Sequence, residues 1–154
     1  MSSLAFSKKD NYSRCMNSAV YFLAMREHSR QEIYNKLSQK DFSEGVDIDL
    51  LLDELEENNY LNEQRFTESF IRSRAQRGQG LLKITNELRR RGIDSELIQQ
   101  ALNELEIDWY KLAGEQRIKK FGEELPKDYK EKARQMRFLS GRGFDSEIIR
   151  NIVL

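Results

Sequence analysis

Seven cations crowd into residues 72–91: Arg72, Arg74, Arg77, Lys83, Arg89, Arg90 and Arg91, against Glu87 alone. Side chains of this kind meet phosphates or a carboxylate-rich protein surface through charge-assisted hydrogen bonds. A looser set, Lys127, Lys130, Lys132, Arg134 and Arg137, lies within residues 111–142, where ten bases face five acids. Residues 41–64 carry nine acids and no base. The net charge of zero and the pI near 6.6 therefore average over strongly segregated charge, and do not exclude a nucleic-acid partner.

Catalytic equipment is sparse. His28 is the only histidine and Cys15 the only cysteine. A zinc site needs more ligands than these, so His28 reads as a solvated turn residue and Cys15 as a buried thiol. The acids of 41–64 suit Mg²⁺ in principle, but their spacing places most of them on exposed helix faces, which reads as a solvated acidic surface. Gly78-Gln-Gly80-Leu-Leu-Lys83 has the look of a phosphate loop, yet no strand precedes it, and it reads as a hinge between helices. Neither an enzyme nor a cofactor nor a metal is expected. Within the basic stretch, Arg74 continues the Phe66–Phe70 stripe, with its stem on the core edge and its guanidinium reaching out. Arg89–Arg91 fill the last turn before Gly92, where cations also stabilise the helix dipole. Aromatic residues are not interleaved with these bases, which argues against a dedicated single-strand binder.

The elements that position these residues are helical throughout. Tyr12, Cys15, Met16, Ala19, Phe22 and Leu23 follow the spacing of an amphipathic helix. Ser29-Arg-Gln-Glu32 is a capping box, opening a helix that buries Ile33 and Leu37. Asp47 starts a helix with Leu51, Leu52 and Leu55, which exits at Asn58-Asn59. Asn62 caps the helix of Phe66, Phe70 and Ile71; Leu81, Ile84 and Leu88 follow the glycines; Asp94 and Asp108 cap two more. Pro126 suits a first helical turn before Ala133, Met136 and Leu139. Sustained alternation and Asn-Gly hairpins are absent, so the chain is expected to be all-α with about nine helices.

The spacing also repeats. Residues 91–98 (RGIDSELI) and 142–149 (RGFDSEII) match at an offset of 51, and Leu37, Leu88 and Leu139 keep the same interval, as do Phe42, Ile93 and Phe144. In the first copy Asp41 replaces the glycine, and EGVD is inserted. Three tandem three-helix repeats follow, over 11–58, 61–106 and 108–154, with residues 1–10 flexible. Charged residues at 34% against a typical ~25% suit an elongated, curved array better than one spherical core. In the twin phrase, glycine closes one helix, an apolar residue plugs the angle and aspartate caps the next; only the arginines before the glycine remain functional candidates. Apolar stretches are too short to cross a membrane and no signal-peptide core follows the start, so a cytoplasmic monomer is expected.

Three stretches together resemble the RecX family of recombinase regulators: SRQEIYNKL (29–37), NNYLNEQRFTESFIRSRAQRGQG (58–80) with LRRRGIDSELIQQAL (88–102), and RFLSGRGFDSEIIR (137–150). The likeness covers about residues 14–154. Asn62-Glu63 replaces a more usual pair of aspartates and Thr67 a common alanine; both keep the cap and the helix. The resemblance implies a modulator of three helical repeats that lies along the RecA–single-stranded DNA filament and inhibits its ATPase, coprotease and strand-exchange activities. That places the chain in homologous recombination, DNA repair and the SOS response, with the two basic sets as the RecA- and DNA-binding face and only weak affinity for naked single- or double-stranded DNA. A stand-alone DNA-binding module and a protein scaffold without DNA are the competing readings of the same charges.

Overall fold

The computed structural model describes residues 7–154. Among them every regular element is helical: α1 (Lys8–Met25), α2 (Arg30–Ser38), a 3-10 turn (Asp41–Ser43), α3 (Ile48–Glu57), α4 (Glu63–Gln76), α5 (Leu81–Arg90), α6 (Ser95–Leu105), α7 (Trp109–Phe121), α8 (Tyr129–Gly141) and α9 (Ser146–Val153). Short polar residues set most starts. Ser29, Asp47, Asp94, Asp108 and Asp145 each accept the backbone N–H three residues on, and Asn62 does the same for Arg65 at 2.9 Å. Such caps contribute typically ~1 kcal/mol each. Asn59 and Gly78, Gly92 and Gly143 take the left-handed conformation that closes a helix. All-α tandem three-helix repeats are the architecture.

Two expectations shift. Ser7 and Asp10 form a capping box, so residues 8–10 are already helix; residues 1–6 of the segment expected to be flexible lie outside the described residues. Pro126 is not in a helical turn, because the N-cap of α8 is Asp128 and the proline falls in the linker before it.

Contacts divide the chain into two compact units: residues up to Thr67 together with Arg91–Ile93, and Glu68–Arg90 together with Asp94–Leu154. In the first, Cys15, Ala19, Ile33, Leu37, Leu51, Leu52 and Leu55 form a core from which water is all but excluded. Each fully buried Leu or Ile contributes about 1.5–3 kcal/mol. Burial pushes the Cys15 thiol pKa up, away from reactive thiolate character.

His28 corrects the sequence reading: it is 1% exposed, not solvated. Its Nε2 lies 2.9 Å from Lys36 Nζ and its Nδ1 3.0 Å from the Arg26 carbonyl. An ammonium can only donate, so Nε2 accepts and the proton sits on Nδ1, pointing at the carbonyl. The ring is the neutral lining of a chain reversal, and burial holds its pKa below the usual histidine value. Arg30 ties the same corner together. Its guanidinium meets Asp49, Asp53 and Glu56 of α3, and its backbone N–H donates to Glu63 at 2.8 Å. Three carboxylates of the acidic stretch thus converge on one cation.

In the second unit α7, α8 and α9 pack on one another around Ala113, Leu139, Phe144, Ile148, Ile149 and Val153. Leu88 and Leu139, one repeat apart, are both fully buried. Arg117, 5% exposed, donates to the carbonyls of Gly122, Glu123 and Glu124 and so fixes the α7–α8 linker from inside. The α8–α9 turn lies on the start of α5: Gly80 N–H donates to the Arg142 carbonyl at 2.7 Å, and Leu82 N–H to the Gly143 carbonyl at 2.9 Å. Gly80 has no side chain to cap α5, and the neighbouring turn supplies the missing acceptors. The approach is close enough that a Cβ on Gly80 would sit 2.5 Å from the Gly143 carbonyl carbon.

Gly80→Ala and Gly143→Ala are therefore expected to destabilise the chain by about 1–3 kcal/mol, the second also because φ is +100°. Gly141, the last residue of α8, has open space where a Cβ would go. Gly141→Ala should leave the thermal midpoint unchanged or raise it by the equivalent of ~0.5 kcal/mol. Equal midpoints for all three variants would contradict the seam.

Candidate functional site

The basic residues separate into those the fold consumes and those it presents. Arg74 does not reach out freely: its guanidinium lies 4.5 Å from the Phe70 ring centroid and pairs with Glu87 at 3.4 Å, stapling α4 to α5. Arg91 belongs to the first unit, where its guanidinium pairs with Glu32 and its carbonyl accepts from Ser29 Oγ at 2.8 Å. Arg72, Arg77, Lys83, Arg89 and Arg90 are exposed. Of these, Arg72, Arg77, Lys83 and Arg89 enter no ion pair among the described residues.

Arg77 and Lys83 flank the Gly78–Gly80 turn. Lys83 is packed at its stem against Gly143, whose added Cβ would sit 2.5 Å from Lys83 Cβ. Arg89 stands six residues further along α5, roughly 9 Å by helical rise. In the third repeat Lys127, Lys130, Arg134 and Arg137 are exposed and Lys132 is half-buried. Lys130, Arg134 and Arg137 share one face of α8 by their i, i+4, i+7 spacing, and Arg134 pairs with Glu131 at 3.1 Å. The N–H groups of Gly80 and Leu82 already face carbonyl oxygens, so the glycine turn is a packing seam.

Glu32 is the electrostatic node of the first unit. Its carboxylate accepts from Ser29 N–H at 3.0 Å and Arg26 Nη1 at 3.3 Å, and pairs with Arg91. Burial favours the protonated acid, but these three donors outweigh it, and Glu32 titrates below the ordinary glutamate range.

Three family models match consecutive stretches of the chain: the RecX first three-helix domain over residues 15–54, the second over 62–102 and the third over 106–153. The regulatory protein RecX of Salmonella paratyphi B is 38% identical over 155 aligned positions, covering 95% of this chain and 93% of that protein. This chain belongs to the RecX family. The regulatory protein RecX of Salmonella typhi matches to the same extent. Among solved structures, RecX from Lactobacillus salivarius superposes with a TM-score of 0.76 at 23% identity, covering 94% of this chain and 96% of that one. A second structure, of a regulatory protein RecX, gives 0.79 at 19% identity over 94% and 73% of the two chains. These two share the fold. The role of this RecX chain is regulatory, and no described helix is long and apolar enough to cross a membrane.

Sequence reasoning passed over Lys120, Phe121, Phe138 and Arg117. Nothing in the spacing of Phe121 and Phe138 announces a contact. In the structure their ring centroids are 5.4 Å apart at 88°. Lys120, Arg134 and Arg142 stand around them. The expected lack of interleaved aromatic residues concerned residues 72–91, and this cluster lies outside that stretch.

Arg91→Ala should lower stability by about 1 kcal/mol through the lost Glu32 pair, whereas Arg89→Ala should stay within ~0.5 kcal/mol of wild type. Because the folded pKa of Glu32 is depressed, its stabilising contribution is complete above the ordinary glutamate value of 4.5 and is lost as pH falls through the folded value. Urea denaturation at about pH 7 and about pH 3.5 should find Glu32→Gln less stable than wild type at the higher pH, the two converging at the lower. A constant difference across that range would contradict the assignment.

Proposed function

We propose that this chain is a negative regulator of RecA that binds along the RecA–single-stranded DNA filament and restrains its ATPase, coprotease and strand-exchange activities. The observation that carries this reading, within a RecX-family chain, is the set of exposed cations Arg72, Arg77, Lys83 and Arg89, left without ion-pair partners among the described residues. Each contact from such a residue is modest, but contacts held by one folded body add through effective concentration. Lys127, Lys130, Lys132, Arg134 and Arg137 extend the cationic surface into the third repeat, and Arg90 adds to it at the end of α5. Arg74 acts by holding together α4 and α5, which present the others, and Arg91 is spent on Glu32. The acids of α3 meet basic surface on RecA or keep that part of the molecule off DNA. The chain works as a monomer, and naked single- or double-stranded DNA binds weakly.

RecA's ATPase on single-stranded DNA tests the reading. Substoichiometric chain should inhibit hydrolysis, and no inhibition at saturating chain would sink the proposal. Arg72→Glu combined with Arg77→Glu should raise the concentration needed for inhibition by roughly ten-fold or more, as expected for loss of several charge-assisted contacts at ~1.5–3 kcal/mol each before solvent screening. Its thermal midpoint should match wild type. Binding to naked DNA that is tight at physiological salt and falls steeply with added salt would favour a stand-alone DNA-binding module instead.

A further inference from the structure

A cavity of about 340 Å³ lies where the α7–α8 linker meets the first turns of α8. Gln135 forms part of its wall and is 2% exposed, yet its Oε1 accepts no hydrogen bond among the described residues. Its Nε2 donates to Glu131 Oε1 at 3.4 Å, which fixes the amide. The amide oxygen cannot face a carboxylate, so it is left as a buried acceptor without a donor. Glu124, Asp128 and Glu131 line the same cavity, with Lys127 as the lining cation. Arg134 and Arg117 stand beside it. Arg134 Nη1 donates to both oxygens of Glu131, at 3.1 and 3.3 Å, and Arg117 donates to the carbonyls of Gly122, Glu123 and Glu124. Three acids and three bases thus balance, and net charge selects no ligand. Hydrogen-bonding capacity does. Glu124 is exposed and enters no ion pair among the described residues. Asp128 Oδ1 accepts the Glu131 N–H at 2.8 Å, which leaves its other oxygen. Against these acceptors and Gln135 Oε1, Lys127 alone offers donors.

We propose that this cavity is a binding site for a guanidinium group, held by Glu124, Asp128 and the amide oxygen of Gln135. A guanidinium carries five donors and no acceptor, in a rigid fork that engages several oxygens at once. Arg117 does the same with three carbonyls of the adjoining linker. Phe121, Leu125 and Pro126 give the cavity an apolar wall for the methylene stem that carries such a group. A bare metal ion does not fit, because no three acidic, histidine or cysteine side chains among the described residues are grouped to hold one. An ammonium brings only three donors, and a neutral ureido group sets an acceptor of its own among the carboxylates. The group can come from an arginine side chain of a partner protein or from free arginine, and the chemistry is common to both. The inference does not rest on RecA regulation, and its test contains no RecA, so either can fail alone.

The full isotope-labelled chain is titrated with N-acetyl-arginine amide while the Gln135 side-chain amide is followed by NMR. Saturable shifts are expected there and in the α7–α8 linker, with a dissociation constant of about 1–10 mM for a ligand of this size. N-acetyl-citrulline amide keeps the shape but loses the charge, and should bind about ten-fold more weakly or worse. N-acetyl-lysine amide should bind about three-fold more weakly or worse. Glu124→Gln, at an exposed position, should weaken binding of the arginine derivative about three-fold, and Gln135→Met about ten-fold. Free arginine, titrated alongside, identifies the source: tighter binding than the blocked derivative assigns the amino acid, and equal or weaker binding assigns a partner's side chain. No saturable shift up to about 50 mM, or equal affinities for the arginine derivative and either analogue, overturns the proposal, and these comparisons need no variant to fold. A Glu124→Gln chain with a wild-type thermal midpoint and undiminished affinity overturns it as well.

Discussion

The backbone N–H groups at the start of each repeat's second helix need acceptors, and how they are satisfied governs much of the structure. At α5 no side chain is available, because the residue before it is Gly80. The carbonyls of Arg142 and Gly143, from the turn between α8 and α9, take over. At α2 the corresponding start has a complete capping box, Ser29 with Glu32, and the turn Arg91–Ile93 meets it through Ser29 Oγ on the Arg91 carbonyl and Arg91 on Glu32. The amides of α5 are thus satisfied by a glycine turn from the next repeat, whereas those of α2 are satisfied by its own capping box and the glycine turn Arg91–Ile93 binds the capping side chains. The recurrence of RGxDSE at an interval of 51 residues marks the two turns that meet these helix starts. Glycine is required there for more than its left-handed angle, since a Cβ on Gly143 would collide with the backbone nitrogen of Lys83 at 2.8 Å.

The same economy sorts the cations. A guanidinium has five donors in a rigid fork, which makes arginine the residue that can hold several backbone or carboxylate oxygens at once. Arg117 holds three carbonyls of one linker, Arg30 three carboxylates of α3, and Arg65 pairs with Glu27 at 2.7 Å while donating to the carbonyls of Asn59 and Tyr60. Arg74 and Arg91 join this structural class. Arg72, Arg77, Lys83 and Arg89, exposed on or beside α4 and α5, enter no ion pair among the described residues.

Burial of polar groups follows one rule at His28, Ser29 and Thr67 of the first unit. His28 is admitted to the interior because both ring nitrogens find partners, Ser29 because its hydroxyl both accepts and donates, and Thr67 because its hydroxyl reaches the Glu63 carbonyl at 2.7 Å. A histidine in a polar turn looks solvated in one dimension. It is buried here because Lys36 folds back over it with its ammonium also 4.8 Å from the Phe22 ring centroid.

Helices, caps and repeat were legible in the amino-acid order because they depend on neighbours within about one turn. Ser29 and Glu32, Asp94 before Leu97, and the buried leucines at positions 37, 88 and 139 obey local hydrogen bonding and periodic burial. The family, too, could be read from motifs whose spacing survives in the linear chain. Which arginines are engaged and which are presented could not be read so, because that depends on what a long side chain meets across tens of residues. Arg91 finds Glu32 and Phe121 finds Phe138 only after the chain has folded. Local chemistry therefore determined the elements and their order, while tertiary packing alone decided the fate of each charge.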